Sequence, residues 1–255
     1  MRKLILFFVL LLPVIALTKS YYYPQIKTEI HFTPNGSAHV LQERTYYFEG
    51  AFSWAYLELK KKGADNIVFN QLLEEIDGTW HKLEPEINDT PQSLHILWHY
   101  SAQDEIRTFL VDYTIIGAVK RYEDVAEFYW KFIEDEHEKI DKIQLELNLP
   151  QSSADLFKVY IHSQTRPGTI AFNKTFDKAV IEQKKIPKNT FVEVRMFTSS
   201  SIFSEVPIIN RTRYQDFLKQ EKQNFLISSL KKFILFPIGL ILMIILPISA
   251  IIYFL

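Results

Sequence analysis

The sequence predicts a mainly β protein: an exported antiparallel β-sandwich of the immunoglobulin-like type with a short inserted helix, followed by an amphipathic helix and a C-terminal transmembrane helix. Three observations carry this prediction. Much of the middle of the chain alternates apolar and polar residues with a period of two, the signature of half-buried strands. The alternating runs are short and are separated by turn residues such as Asn35-Gly36, Asp77-Gly78 and Asn88-Asp89-Thr90-Pro91, as in a sandwich. Both ends are apolar, with no charge in residues 4–17 or 233–255.

In chain order, the cationic Met1-Arg2-Lys3 and the apolar run after it have the layout of a secretory signal peptide, assigned to residues 1–20. Cleavage is expected between Ala16 and Ser20. An uncleaved anchor is the alternative, because small residues are poorly spaced there. The exported domain covers residues 21–205. Its first strand alternates Ile26, Thr28, Ile30 and Phe32 with Lys27, Glu29 and His31. Asn35-Gly36, the strongest short hairpin signal, turns the chain into a return strand over 40–48. Further strands are expected at 52–59, 94–100, 106–116, 143–149, 156–162 and 191–197. The domain is either one β unit or two that divide near residue 140.

Two segments break the strand pattern. At 124–132, Asp124 with Glu127 makes a capping-box-like start, and Val125, Phe128, Tyr129 and Phe132 recur at helical spacing. A short helix is expected there. Residues 206–232 form the juxtamembrane segment, with a helix whose one face carries Tyr214, Phe217, Leu218 and Phe225. Its cationic residues, Lys219 and Lys222 among them, either meet anionic headgroups or belong to a solvated linker. The run 233–255 would form ~34 Å of helix, enough to cross a bilayer. Lys231 and Lys232 before it favour the cytoplasm by the positive-inside rule, but the export signal dominates, so the domain is placed outside. Nothing charged follows the run, which means either a minimal tail or a longer protein.

Composition excludes several classes of function. The net charge of -1 across 255 residues gives no basic footprint for nucleic acid. The absence of cysteine excludes a disulfide scaffold, a thiolate metal site and a cysteine nucleophile. The 15% aromatic content supports a packed core rather than disorder.

The residues between Tyr113 and Trp130 carry a resemblance. Tyr113-Thr114-Ile115-Ile116-Gly117-Ala118-Val119 precedes Tyr122-Glu123-Asp124-Val125-Ala126-Glu127-Phe128-Tyr129-Trp130, and earlier come Asn35-Gly36-Ser37, Glu43 and Tyr47-Phe48-Glu49-Gly50. Over residues 22–203 this resembles a family of predicted prokaryotic membrane proteins, domain of unknown function 2207. The motif positions are Gly117, Tyr122, Asp124, Glu127 and Trp130; a tryptophan that the resemblance implies near 137 is His137 here. The resemblance implies an exported domain and a membrane anchor, and no particular activity.

Candidate chemistry is sparse. A two-residue turn at Asn35-Gly36 would pair Phe32 with His39 and His31 with Val40, setting the two histidines on opposite faces. His95 and His99 share a face but stand ~13 Å apart along a strand. The carboxylates at 134–138 read as a solvated face rather than a calcium loop. Trp54, Trp80, Trp98 and Trp130 are either core or a sugar-binding surface. No catalytic residue, metal site or cofactor is expected. Asn35, Asn88, Asn173 and Asn210 lie in glycosylation sequons, which matter only where the transferase is present.

The expected function is a non-enzymatic interaction or structural module of the cell envelope, with the lipid bilayer and an envelope or membrane protein as partners and no nucleic acid. The alternative is a receptor, sensor or hydrolase for an envelope component, using carboxylates and tryptophans. A concave pocket holding Trp or His beside two carboxylates favours the alternative; flat faces over a closed core favour the first reading.

Overall fold

The computed structural model describes residues 19–165 and 168–230. The expected export signal up to Thr18 and the apolar run 233–255 lie outside the described residues. Among the described residues no helix is long and apolar enough to cross a membrane.

The protein is mainly β. The strands in chain order are β1 (Ser20–Phe32), β2 (Ala38–Glu49), β3 (Ala51–Lys60), β4 (Asn66–Ile76), β5 (Thr79–Leu83), β6 (Glu86–Asp89), β7 (Ser93–Gln103), β8 (Ile106–Ile116), β9 (Val119–Tyr122) and β10 (Ala126–Ile133). They continue with β11 (Ile140–Asn148), β12 (Phe157–Ser163), β13 (Thr169–Phe172), β14 (Lys178–Ile186), β15 (Val192–Thr198) and β16 (Ile208–Ile209), and the chain then enters α1 (Tyr214–Leu230). One eight-stranded sheet has the order β13-β14-β11-β1-β2-β8-β4-β5. A five-stranded sheet has the order β12-β15-β10-β9-β16, and a three-stranded sheet the order β3-β7-β6.

Alternation explains why these segments pair as they do. In β2, Ala38, Val40, Gln42, Arg44, Tyr46 and Phe48 are buried and the residues between them are not. In β1 the inward series is interrupted at a bulge between Tyr22 and Gln25, where Pro24, which has no N–H to give a ladder, is accommodated. The outer face of these strands is polar, with Lys27 bridging Glu29 at 2.8 Å and Glu43 at 3.5 Å. Both smaller sheets lie on the inner face. Phe32 meets Phe128 of the five-stranded sheet at 4.9 Å between ring centroids, and Phe109 meets Trp98 of the three-stranded sheet at 5.5 Å. Each such buried side chain contributes about 1.5–3 kcal/mol.

The structure corrects four expectations. The sheets are not purely antiparallel: β1 pairs with β11, and β9 with β16, in parallel. One edge of β1 is taken by its hairpin partner β2. The chain returning from β10 fills the other edge from the same end, starting where the Tyr23 amide donates to the Lys139 carbonyl at 2.9 Å. Strands beyond residue 140 are accordingly shared between layers, β11 and β14 in the large sheet and β12 and β15 in the five-stranded one.

The first hairpin is one residue out of the expected register. Its turn runs from Thr33 to Ser37, closed by Thr33 N–H to the Ser37 carbonyl at 3.0 Å and Gly36 N–H to the Thr33 carbonyl at 2.9 Å. Asn35 Oδ1 accepts from the Ser37 amide at 3.0 Å, and Gly36 takes the positive φ of +77°. Asn35 itself stays outside that region, so this is not the two-residue turn in which both central residues need positive φ. Phe32 therefore pairs with Ala38 and His31 with His39, and the two histidines share the outer face.

Residues 124–132 hold no helix. Glu123-Asp124 is a tight turn closed by the Tyr122 amide on the Val125 carbonyl at 2.8 Å, and β10 follows. Ala126, Phe128, Trp130 and Phe132 are buried while Tyr129 is exposed, a period of two. Phe128 and Phe132, at i and i+4, share a face in either period, and pairing with β15 decides for the strand.

The helix α1 occupies the expected span, but its buried face is Phe217 and Glu221 rather than an apolar stripe reaching Phe225, which is 70% exposed. Phe217 stacks on Phe197 at 5.3 Å and meets Tyr122 edge-on at 5.5 Å, so α1 covers the outer face of the five-stranded sheet.

Candidate functional site: an aromatic cleft over a buried arginine

The five- and three-stranded sheets leave a cavity of about 460 Å³ between them. Its floor is the inner face of β1 and β2, with Tyr21, Tyr23, Arg44 and Tyr46. One wall is β3, an edge strand, from Phe52 to Lys60. The other is the end of β10 and the loop after it, from Trp130 to His137.

Arg44 is placed by strand phase alone: it is an inward position of β2, between Gln42 and Tyr46, and is 6% exposed. Its guanidinium lies 5.2 Å from the centre of the Tyr23 ring. Among the described residues no carboxylate comes within ion-pairing distance of it, and its Nε–H has no hydrogen-bond partner. The Trp130 Nε1–H, also in the lining, is likewise without a partner. A cation–π contact is worth about 2 kcal/mol when desolvated, whereas an uncompensated buried charge costs several. Burial pushes the Tyr46 and Tyr21 hydroxyls well above the usual tyrosine range, so these rings stay neutral. The rim is charged and largely internally paired, Lys60 to Glu134 at 3.1 Å and Lys131 to Asp135 at 3.2 Å. His137, buried at one end, donates from Nδ1 to the Glu138 carbonyl and accepts at Nε2 from the Thr190 amide at 3.1 Å, and so pins the wall loop.

A second arginine is held very differently. Arg195 of β15, on the opposite face of the five-stranded sheet, donates from Nε to Glu127 at 2.7 Å, from Nη1 to Glu221 of α1 at 2.8 Å and from Nη2 to Gln220 at 3.2 Å. Its guanidinium stacks on Phe217 at 4.5 Å and Phe197 at 4.9 Å. The other oxygen of Glu221 meets His162 Nε2 at 2.7 Å. Tyr129 touches His162 Nδ1 at 3.2 Å while donating to Glu193 at 2.6 Å. Burial raises the Glu127 carboxyl above its ordinary value, and the Arg195 charge only partly opposes this. Burial also pushes Glu221 up, but hydrogen bonds from His162 and Arg195 outweigh it and hold that carboxyl low.

The five motif positions fall in three places. Gly117 turns β8 into β9 with φ +65°, where an added Cβ would strike the Asp65 carboxylate. Tyr122, Asp124 and Glu127 serve α1: Tyr122 packs under it, Glu127 holds Arg195, and Asp124 accepts from the Arg213 amide at 2.9 Å and the Tyr214 amide at 3.1 Å. Asp124 thus caps a helix, but one 90 residues away in sequence. Trp130 points inward and is 5% exposed.

Other candidates are dispersed. His39 Nε2 meets Asp112 at 2.7 Å on the outer face, where Asn70 and Gln71 also donate to that carboxylate. His95 meets Ser93, and His99 meets Glu86. Trp98 is core, while Trp54 and Trp80 are exposed. Asn35, Asn88 and Asn210 are exposed, and Asn173 is half-buried, its carbonyl accepting from the Asp177 and Lys178 amides. Sequence reasoning missed Arg44. Its signal was a charged residue in the inward phase of the 40–48 run.

Residues 23–198 match the family model described as predicted membrane protein (DUF2207) N-terminal domain. No curated protein sequence matches the chain. Similar solved structures include a candidate nutrient binding protein from Legionella pneumophila, 8% identical, covering 70% of this chain and 67% of that one with a TM-score of 0.47. A candidate protease from Parabacteroides distasonis is 10% identical over 69% of this chain and 40% of its own, TM-score 0.44. Native yeast LTA4 hydrolase is 10% identical over 70% of this chain and 29% of its own, TM-score 0.45. The chain thus spans well under half the length of these last two proteins.

Proposed function

The chain belongs to this DUF2207 family of predicted membrane proteins, and from that premise we propose that it is a membrane-tethered binding module that captures a small ligand in the aromatic cleft. The cleft is the observation that carries the reading: about 460 Å³, lined by aromatic rings and by two buried donors without partners, Arg44 Nε–H and Trp130 Nε1–H. Ligand sites are concave and mostly apolar with a few convergent polar groups, and this cavity has that character. Trp130, His137, Glu58 and Glu134 all line it, the combination that favours a receptor over a flat structural module. Binding fits better than catalysis because the lining histidine is committed to backbone groups of Glu138 and Thr190 and the tyrosines are held neutral. The topology belongs to the same proposal: an export signal places the domain outside, the run 233–255 crosses the bilayer as a single span, and α1 joins the two. An envelope or membrane protein would receive the ligand-dependent signal.

The test uses the full chain in lipid nanodiscs, dialysed to equilibrium against 2-naphthol and 2-naphthoate. Saturable uptake of either probe, near one per chain above empty nanodiscs and lost in Ala55→Trp, which fills the cleft, supports the reading. Uptake that never saturates, or that survives the filled cleft, overturns it.

A further inference from the structure

We infer that the cleft selects small monocarboxylates with an aromatic or compact apolar body, the carboxylate seated on Arg44; this rests on the cleft being a ligand site. Arg44 Nε–H in the floor and Trp130 Nε1–H in the wall are unpaired donors that can never accept. Such a lining is complementary to an acceptor-rich group. A neutral acceptor would leave the guanidinium charge uncompensated, at a cost that its contact with the Tyr23 ring offsets only in part.

Arg44 is the single cation on the floor; the lysines in the lining stand at the rim, where Lys60 and Lys131 are neutralised by Glu134 and Asp135. One buried positive charge balances one negative charge. A phosphomonoester dianion would keep an uncompensated charge in the cleft and would face the rim carboxylates Glu58 and Glu136. A carboxylate brings one charge and a planar pair of oxygens that match the guanidinium fork.

Above Arg44 the lining is rings: Tyr46 is stacked with Phe48 at 5.3 Å, and Tyr21 meets Phe52 edge-on at 5.8 Å. Such walls accept flat apolar groups by offset stacking and edge contacts. The volume suits a compact molecule of one or two rings rather than a polymer.

The matched pair of probes tests this without relying on any variant. In wild-type chain, 2-naphthoate should bind about tenfold or more tightly than 2-naphthol at pH 7, where the first is charged and the second is not. Arg44→Met should bring that ratio down to about one, and Trp130→Phe should lower it while keeping the wall filled. 2-Naphthyl phosphate should bind more weakly than the carboxylate. Equal binding of acid and alcohol in wild type overturns the inference and leaves the cleft as a neutral ligand site. A preference for the phosphate overturns it in favour of a dianion. If neither probe binds saturably, it is the underlying reading that fails.

Discussion

Arg44 and Arg195 are both inward or covered positions of central strands, 6% and 5% exposed, yet their surroundings are opposites. Arg195 is completed by its own chain, with a carboxylate from β10, a carboxylate and an amide from α1, and two rings against its faces. Arg44 has the Tyr23 ring against its guanidinium and borders the cleft. The contrast separates two uses of a buried charge. Where every donor is met from within, the arginine fastens one element to another, here the helix that leads toward the apolar C-terminal run onto the β domain. Where a buried charge finds no carboxylate within its own chain, the folded protein carries a local cost beside the cavity.

Exchanging each arginine for methionine separates the two cases. Arg195→Met leaves Glu127 and Glu221 buried without their cation and should destabilise the protein by about 3–5 kcal/mol. Arg44→Met removes a charge that has no partner and should leave the denaturation midpoint unchanged or higher. Similar losses for the two variants in urea unfolding would show that Arg44 is compensated after all.

Trp130 sharpens the same contrast from the cleft wall. Trp130→Ala should cost about 3–5 kcal/mol by emptying a buried site, while Trp130→Phe should cost much less because its Nε1–H makes no hydrogen bond to lose. Equal costs for the two would mean that the indole nitrogen is engaged.

The latch under α1 should also respond to acid. Glu221 has a lowered folded-state pKa, so its contribution is present above the ordinary glutamate range and is lost as pH falls through the folded value. Glu127 is raised, so its contribution is present below the ordinary range and is lost as pH rises through its folded value, opposing part of the slope. Protease cleavage at the start of α1 should therefore accelerate below about pH 4.5. Glu221→Gln should cleave faster at neutral pH and show a flatter acid dependence. A profile identical to wild type would place the acid sensitivity elsewhere. The smallest effect belongs to Asp124→Ala, about 1 kcal/mol for a lost cap, read as fraying of α1 in amide exchange with the β core unchanged.

Features that depend only on neighbours within one segment are legible in the sequence. The strand Ile106–Ile116 and the helix Tyr214–Leu230 stand where patterning put them, because alternation and helical phase are written locally. The burial of Trp130 was also legible, although through the wrong element. What tertiary structure decided is everything that needs a partner distant in the chain. Residues 124–132 satisfy two periods, and β15 chose between them. Asp124 carries the chemistry of a cap, but which helix it caps follows from the docking of α1. The register at Asn35-Gly36 shifted by one because side-chain and backbone bonds of Thr33, Asn35 and Ser37 favoured a longer turn. Arg44 shows the limit most plainly. Its place in the alternation of β2 directs it inward, but whether a carboxylate, a ring or a cavity awaits it depends on how β1, β3 and β10 assemble around it, and a strand's own sequence holds no record of what it will face.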